Sequence, residues 1–177
     1  MIQDYSMTLP IQGTSCLLRR WSSADAEALV KHANDKGVAE NLRDAFPHPY
    51  TLADAVGFLE HVVGTNDPNL LCIEVDGEAA GGVGVKLLPD VERVGAEMGY
   101  WLGRSFWGRG VVTEAVTLST PFFMETFELT RVFALPFTRN TPSVRVLEKS
   151  GYTLEGRLRK SAIKDGVIQD QFMYAYV

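Results

Sequence analysis

The sequence predicts a mixed α/β fold whose central sheet is mostly antiparallel. Apolar residues switch between strand and helix periods several times along the chain. Two Asp-Gly turns join successive strand-like runs, and one strand-like run leads through a glycine loop straight into a long helix.

Cys16 to Trp21 reads as a short first strand. Ser22-Ser23 offers a cap for the helical run from Ala24 to Val30, and Asp25 and Glu27 in its first turn suit the helix dipole. A second helical piece is expected around Val38 to Arg43, before an extended loop in which Pro47 and Pro49 bracket His48. Thr51 caps a helix over Leu52 to Val63, with Asp54 where a capping box places its carboxylate. Leu70 to Val75, the Asp76-Gly77 turn and Ala79 to Leu88 form a hairpin, followed by a strand from Ala96 to Leu102. A helix from about Gly110 to Phe127 comes next; Pro121 within it should remove one backbone bond and kink it. Val132 to Phe137 is a strand, and Thr141 to Lys149 a helix stopped by Gly151. Strands over Tyr152 to Arg159 and Gln169 to Val177 flank the Lys164-Asp165-Gly166 turn.

With 177 residues, 46% hydrophobic and 22% charged, the chain suits one globular domain. A formal net charge of -5 argues against a generic nucleic-acid binder, though not against an anionic ligand met by local donors. Cys16 and Cys72 lie far apart without a CxxC or Cys/His cluster, so neither a disulfide framework nor structural zinc is expected. The stretch from Met1 to Tyr5 lacks the pattern of a signal peptide, and no window has the ~20 apolar residues of a membrane span. A cytoplasmic address is the expectation.

Residues 99–115 carry the strongest chemical signal. Gly108 and Gly110 let backbone N–H groups approach a ligand closely, at the start of a helix with unpaired donors and a positive dipole end. That arrangement suits a pyrophosphate, with Arg104 and Arg109 adding charge; the same glycines would also make a plain strand-to-helix turn. No Gly-Lys-Ser/Thr follows, as a Walker loop needs, and the third glycine of a dinucleotide fingerprint is missing. Gly81-Gly82-Val83-Gly84-Val85 lies inside a strand pattern, where glycine more often marks a bulge or close packing than a phosphate grip.

This segment resembles motif A of the GCN5-related N-acetyltransferase (GNAT) family, Gln/Arg-x-x-Gly-x-Gly/Ala, with Ser105 standing where the pattern prefers Gln or Arg. Tyr100-Trp101-Leu102, Trp107-Gly108-Arg109-Gly110 and Thr113-Glu114-Ala115 are similar to the branch that acetylates ribosomal-protein N-termini. Downstream, Asn140-Thr141-Pro142-Ser143 and Leu147-Glu148-Lys149-Ser150-Gly151-Tyr152 resemble the family's Asn-x-x-Ser…Leu-Glu-Lys-x-Gly-Phe segment. An ordinary capped amphipathic helix would explain the apolar spacing there, but not its coincidence with the glycine loop. Similarity reaches the segment from Pro47 to Thr51 and the closing strand from Asp170 to Tyr174.

The resemblance implies a single N-acetyltransferase domain over residues 1–177 with the GNAT fold: a mixed, mostly antiparallel central sheet with two splayed parallel strands, flanked by helices. The splayed strands would be Ala96–Leu102 and Val132–Phe137. It implies acetyl-CoA as cosubstrate, no metal, and pantetheine lying along the backbone of Trp101 and Leu102 as an added strand, the Leu102 N–H polarising the thioester. Trp107, Gly108, Arg109, Gly110 and Val111 would hold the pyrophosphate, and Asn140 the pantetheine or the loop. Ser143 resembles the residue that bonds and protonates the CoA sulfur, or it serves only its helix's first turn. Glu97 is the candidate base; it could equally face solvent or merely bind a substrate cation. The three histidines have no ligand spacing; His48, Tyr50 and Tyr174 either touch the acceptor or serve loop and packing. The implied acceptor is a protein or peptide N-terminal α-amine. A polyamine, amino acid or aminoglycoside-like drug is the alternative, and a noncatalytic CoA-binding module a third reading. No nucleic acid or membrane partner is expected, and family members are monomers or homodimers.

Overall fold

A computed structural model describes residues 8–177; the stretch from Met1 to Tyr5 read above lies outside them. The strands are β1 (Ile11–Gln12), β2 (Leu17–Arg19), β3 (Leu70–Val75), β4 (Glu78–Leu87), β5 (Gly95–Leu102), β6 (Arg131–Ala134), β7 (Thr153–Lys164) and β8 (Val167–Tyr176). The α-helices are α1 (Ala26–Ala33), α2 (Lys36–Ala39), α3 (Leu52–Gly64), α4 (Val111–Thr126) and α5 (Thr141–Lys149). The strands form one sheet in the order β1-β2-β3-β4-β5-β6-β8-β7, antiparallel throughout except where β5 meets β6.

Local chemistry explains most boundaries. Ser22 and Asp25 form a reciprocal capping box at a 3-10 turn leading into α1, and Thr51 and Asp54 form another at α3. Asp76-Gly77 and Asp165-Gly166 take positive φ, as two-residue hairpin turns require. Several elements differ from expectation; β7 runs on past Arg159 and β8 starts ahead of Gln169, so that both strands reach the Asp165-Gly166 turn. β1 is two residues long, too short for a periodic signal. α2 begins earlier than expected because the Asp35 carboxylate caps it at Gly37. β6 stops at Ala134, ahead of Pro136, which has no N–H for a ladder. α4 runs through Pro121 without ending, held on both sides of it by buried Val116, Phe122 and Phe123.

Two cores cover the two faces of the sheet. Leu71, Ile73, Val83, Val85, Met98 and Leu102 pack with Val111, Val116 and Phe123 of α4 and Leu147 of α5. On the other face Trp21, Cys72 and Ala79 pack with Leu29 of α1 and Leu59 and Val62 of α3. Along β5 this alternation sends Met98, Tyr100 and Leu102 to the α4/α5 face and Glu97, Gly99 and Trp101 to the α1/α3 face. Among the described residues no helix is long and apolar enough to cross a membrane.

Candidate active site

The site starts from a fault in the sheet. β5 and β6 pair only at Gly95–Arg131, Ala96–Val132 and Glu97–Phe133. β6 then ends while β5 continues to Leu102, so a gap opens between them. The Gly103 N–H donates to the Ala80 carbonyl at 2.8 Å, and Trp101 stands opposite Gly82. Backbone groups along an antiparallel strand turn to alternate edges. Those of Gly99 and Trp101 therefore face β4, whereas those of Met98, Tyr100 and Leu102 face the gap. Trp101 thus departs from expectation, because the ladder to Gly82 engages its backbone. The Leu102 carbonyl accepts from Trp107 Nε1 at 2.8 Å, and its N–H points toward the gap.

At one end of the gap lies the glycine loop. Gly108 and Gly110 have φ of 74° and 78°, left-handed values that favour glycine. Gly110 is the N-cap of α4, and no side chain caps that helix; the first helical bond runs from Glu114 N–H to the Gly110 carbonyl. The N–H groups of buried Val111 and of Val112 and Thr113 are left pointing out of the helix end. They border a cavity of about 480 Å³ that also touches Gly108, Leu102, Asn140 and Ser143. The two arginines are occupied elsewhere. Arg104 makes a two-pronged bond to Asp35, both contacts 2.7 Å, and this holds the Asp35 carboxyl down at about 2. Arg109 turns over the Phe106 ring toward Asp76, 3.4 Å away, and does not line that cavity. Ser105 is exposed in a 3-10 turn.

The far side of the gap is α5. Asn140 caps it, its side-chain Oδ1 accepting from the Ser143 N–H at 3.3 Å. Ser143 is in the first turn, and its hydroxyl lies 2.7 Å from that of Tyr100. Burial pushes the Tyr100 phenol well above its usual range, outweighing the opposing pull of Ser143, so this hydroxyl keeps its proton. Glu97 lies on the other face of β5, where Arg43 pairs with its carboxylate. Glu97 and Ser143 nevertheless line one cavity of about 560 Å³, because the gap connects the two faces. The 40–46 loop walls it, tied down by Arg139 to the Asn41 amide oxygen at 3.0 Å and by buried Lys164 to Asp44 at 2.9 Å.

A third cavity, about 590 Å³, lies on the α1/α3 face and meets the other two at Leu42 and Tyr100. Buried Tyr50 borders it, its phenol pushed up to about 12 by burial. His48 is exposed and outside it, and Tyr174 is buried with its hydroxyl donating to Glu148 at 3.0 Å. Sequence reasoning missed two residues that the structure brings into contact with the predicted ones, Tyr100 beside Ser143 and Arg43 beside Glu97, and it did not place Gly99 on the cavity wall. Strand parity could have placed Tyr100 and Gly99 on their faces; nothing local signals Arg43. Among the described residues no group of three or more His, Cys, Asp or Glu side chains is placed to hold a metal ion.

Comparison with known proteins fits this geometry. Residues 16–153 match the family model described as the acetyltransferase (GNAT) domain. The chain is 28% identical over 162 residues to an uncharacterized N-acetyltransferase, p20, of Bacillus licheniformis, covering 89% of this chain and 90% of that one. It is 29% identical over 82 residues to the ribosomal-protein-serine acetyltransferase of Escherichia coli, 46% of each chain. Among solved structures it is similar to the microcin C7 self-immunity acetyltransferase MccE in complex with acetyl-CoA and AMP, with a TM-score of 0.81, 27% identity and coverage of 98% and 99%.

Proposed function

The chain belongs to the GNAT acetyltransferase family, and on that premise we propose that one domain spanning it transfers acetyl from acetyl-CoA directly to the α-amine of a peptide or protein N-terminus. The observation that carries the reading is the gap between β5 and β6. Its free backbone edge suits pantetheine, its α4 end suits the pyrophosphate, and a hydroxyl pair stands at its α5 side.

In this reading Glu97, on one side of the gap, takes the ammonium proton and leaves a neutral amine. The amine nitrogen forms the new C–N bond at the thioester carbonyl, and the Leu102 N–H stabilises the negative charge that gathers on the carbonyl oxygen. As the C–S bond breaks, Ser143 donates a proton to the thiolate, and the second proton that the nitrogen sheds on becoming an amide restores the Ser143–Tyr100 hydroxyl pair. Acid and base then work from opposite faces of β5, so neither crowds the other's substrate. Asn140 holds the turn that presents Ser143, and the amides of Trp107 to Val111 hold phosphate. A small amine as acceptor is the second reading, favoured by the apolar lining of the cavity on the α1/α3 face.

Incubating the protein with acetyl-CoA and a panel of peptides and small amines tests the proposal. The expected result is one acetyl group on the amine for each CoA released, read by mass spectrometry. CoA binding with no acetyl transfer to any amine would replace it with a binding module.

A further inference from the structure

The glycines of β4 and β5 fall outside the mechanism above, and the space over them differs from one to the next. A Cβ on Gly82 would stand 3.0 Å from the Trp101 indole nitrogen and 3.2 Å from the Trp21 ring. A Cβ on Gly84 would collide with Leu70 at 2.4 Å and the Asn69 carbonyl at 2.6 Å. Packing explains both. Gly99, paired with Gly84 across the strands, is different: a Cβ there meets nothing within 4 Å among the described residues, and its φ is not left-handed. Glycine in mid-strand costs stability relative to alanine, and neither crowding nor backbone geometry calls for it here. Gly99 instead forms bare floor in the cavity on the α1/α3 face.

The surroundings of that bare tile are specific. Trp101 is two residues along the strand on one side and Glu97 two residues along on the other, all three side-chain positions facing the same way. Phe46 makes an edge contact with Trp101, centroids 5.5 Å apart, and sits 5.2 Å from Tyr50. A planar ring can lie on the exposed peptide planes at Gly99 while its edge meets these aromatic walls. The Glu97 position is then about 7 Å along the strand from Gly99, a span filled by the two-carbon link of an arylethylamine together with the hydrogen bond from its amine to the carboxylate.

Resting on the acetyltransferase reading, we propose that the acceptor carries an aromatic ring on or next to its amine-bearing carbon, and that the ring lies over Gly99 between Trp101 and Glu97. Two sources share this chemistry: a peptide with an aromatic first residue and a free arylethylamine.

The test measures kcat/KM for tripeptides beginning with Phe, Tyr, Ala or Ser, and for phenethylamine against butylamine, on the unmodified protein and on Gly99→Val. Aromatic acceptors should be preferred by about 10-fold or more, the peptide and amine arms showing which source is used. Gly99→Val has room for its side chain and should keep its melting temperature and acetyl-CoA affinity while losing that preference. Turnover without aromatic preference, or preference unchanged in Gly99→Val, overturns the ring site and leaves the acetyltransferase reading standing. Should no amine be acetylated, calorimetry of phenethylamine with CoA-saturated protein decides separately. Binding abolished by Gly99→Val upholds the ring site while the transfer reading falls, and no binding overturns both.

Discussion

The Ser143 hydroxyl and the Tyr100 phenol, 2.7 Å apart, come from residues 43 positions apart in sequence, and in the proposed mechanism they act as a single proton-handling unit. A unit of this kind is grossly non-additive on mutation. Ser143→Ala is expected to lower kcat by about 100-fold, the low end for losing a general acid, with acetyl-CoA affinity little changed. Tyr100→Phe should fall part of the way, and the double variant should be no worse than Ser143→Ala. Full additivity in steady-state kinetics would separate the two residues. Glu97 has a different signature. Glu97→Gln should remove or displace the acid limb of the kcat/KM profile, because a base acts only once deprotonated; a superimposable profile would dismiss it. Arg43 already occupies the Glu97 carboxylate, so an arriving ammonium has to share it.

At the scale of the element, the proposed function places cofactor binding at the start of α4. The φ of 78° at Gly110 costs an L-residue roughly 1–2 kcal/mol, which here is relieved by turning the amides away from the ligand. Gly110→Val should therefore weaken acetyl-CoA binding by about 10-fold or more, whereas Gly110→Asn, which tolerates this conformation better, should lose less. Calorimetric titration checks both, and an unchanged affinity would take the pyrophosphate away from this loop. The elements themselves were largely legible, since caps at Ser22 and Thr51 and turns at Asp76-Gly77 and Asp165-Gly166 are written in consecutive residues. The glycine loop was legible for the same reason. The Tyr100–Ser143 contact was not, because it depends on which face of β5 meets which side of α5. Nor was the open space over Gly99, since a glycine that relieves crowding and a glycine that leaves a cavity floor bare look alike in a sequence. The start of α2 lies ahead of the apolar run that signals it, because the Asp35 side chain caps the helix at Gly37.

Over the whole molecule, one carboxylate joins the edge of the sheet to the cofactor end of α4. Glu114 accepts from the Thr14 N–H at 2.6 Å, the Ser15 N–H at 2.7 Å and the Ser15 hydroxyl at 2.6 Å. Burial alone would raise its pKa, but these bonds outweigh it and bring the group from 4.5 down to about 2. Asp35, held by Arg104 beside the same loop, also sits at about 2. The sign follows from linkage. Between the two values the unfolded chain binds protons that the folded chain refuses, so stability rises with pH there. The contribution is complete above about 4.5 and is lost as pH falls toward 2. Both groups flank the glycine loop, so the acid limit on folding and the integrity of the cofactor end are coupled. Glu114→Gln cannot accept from all three donors and should destabilise the protein by about 1–3 kcal/mol at pH 7. It should also flatten the fall in the urea midpoint between pH 5 and pH 2.5, while Arg104→Met should flatten it less, its pair being more exposed. Urea melts at several pH values check this. A Glu114→Gln protein whose midpoint falls as steeply as that of the unmodified chain would show that the tie between β1–β2 and α4 does not govern acid unfolding.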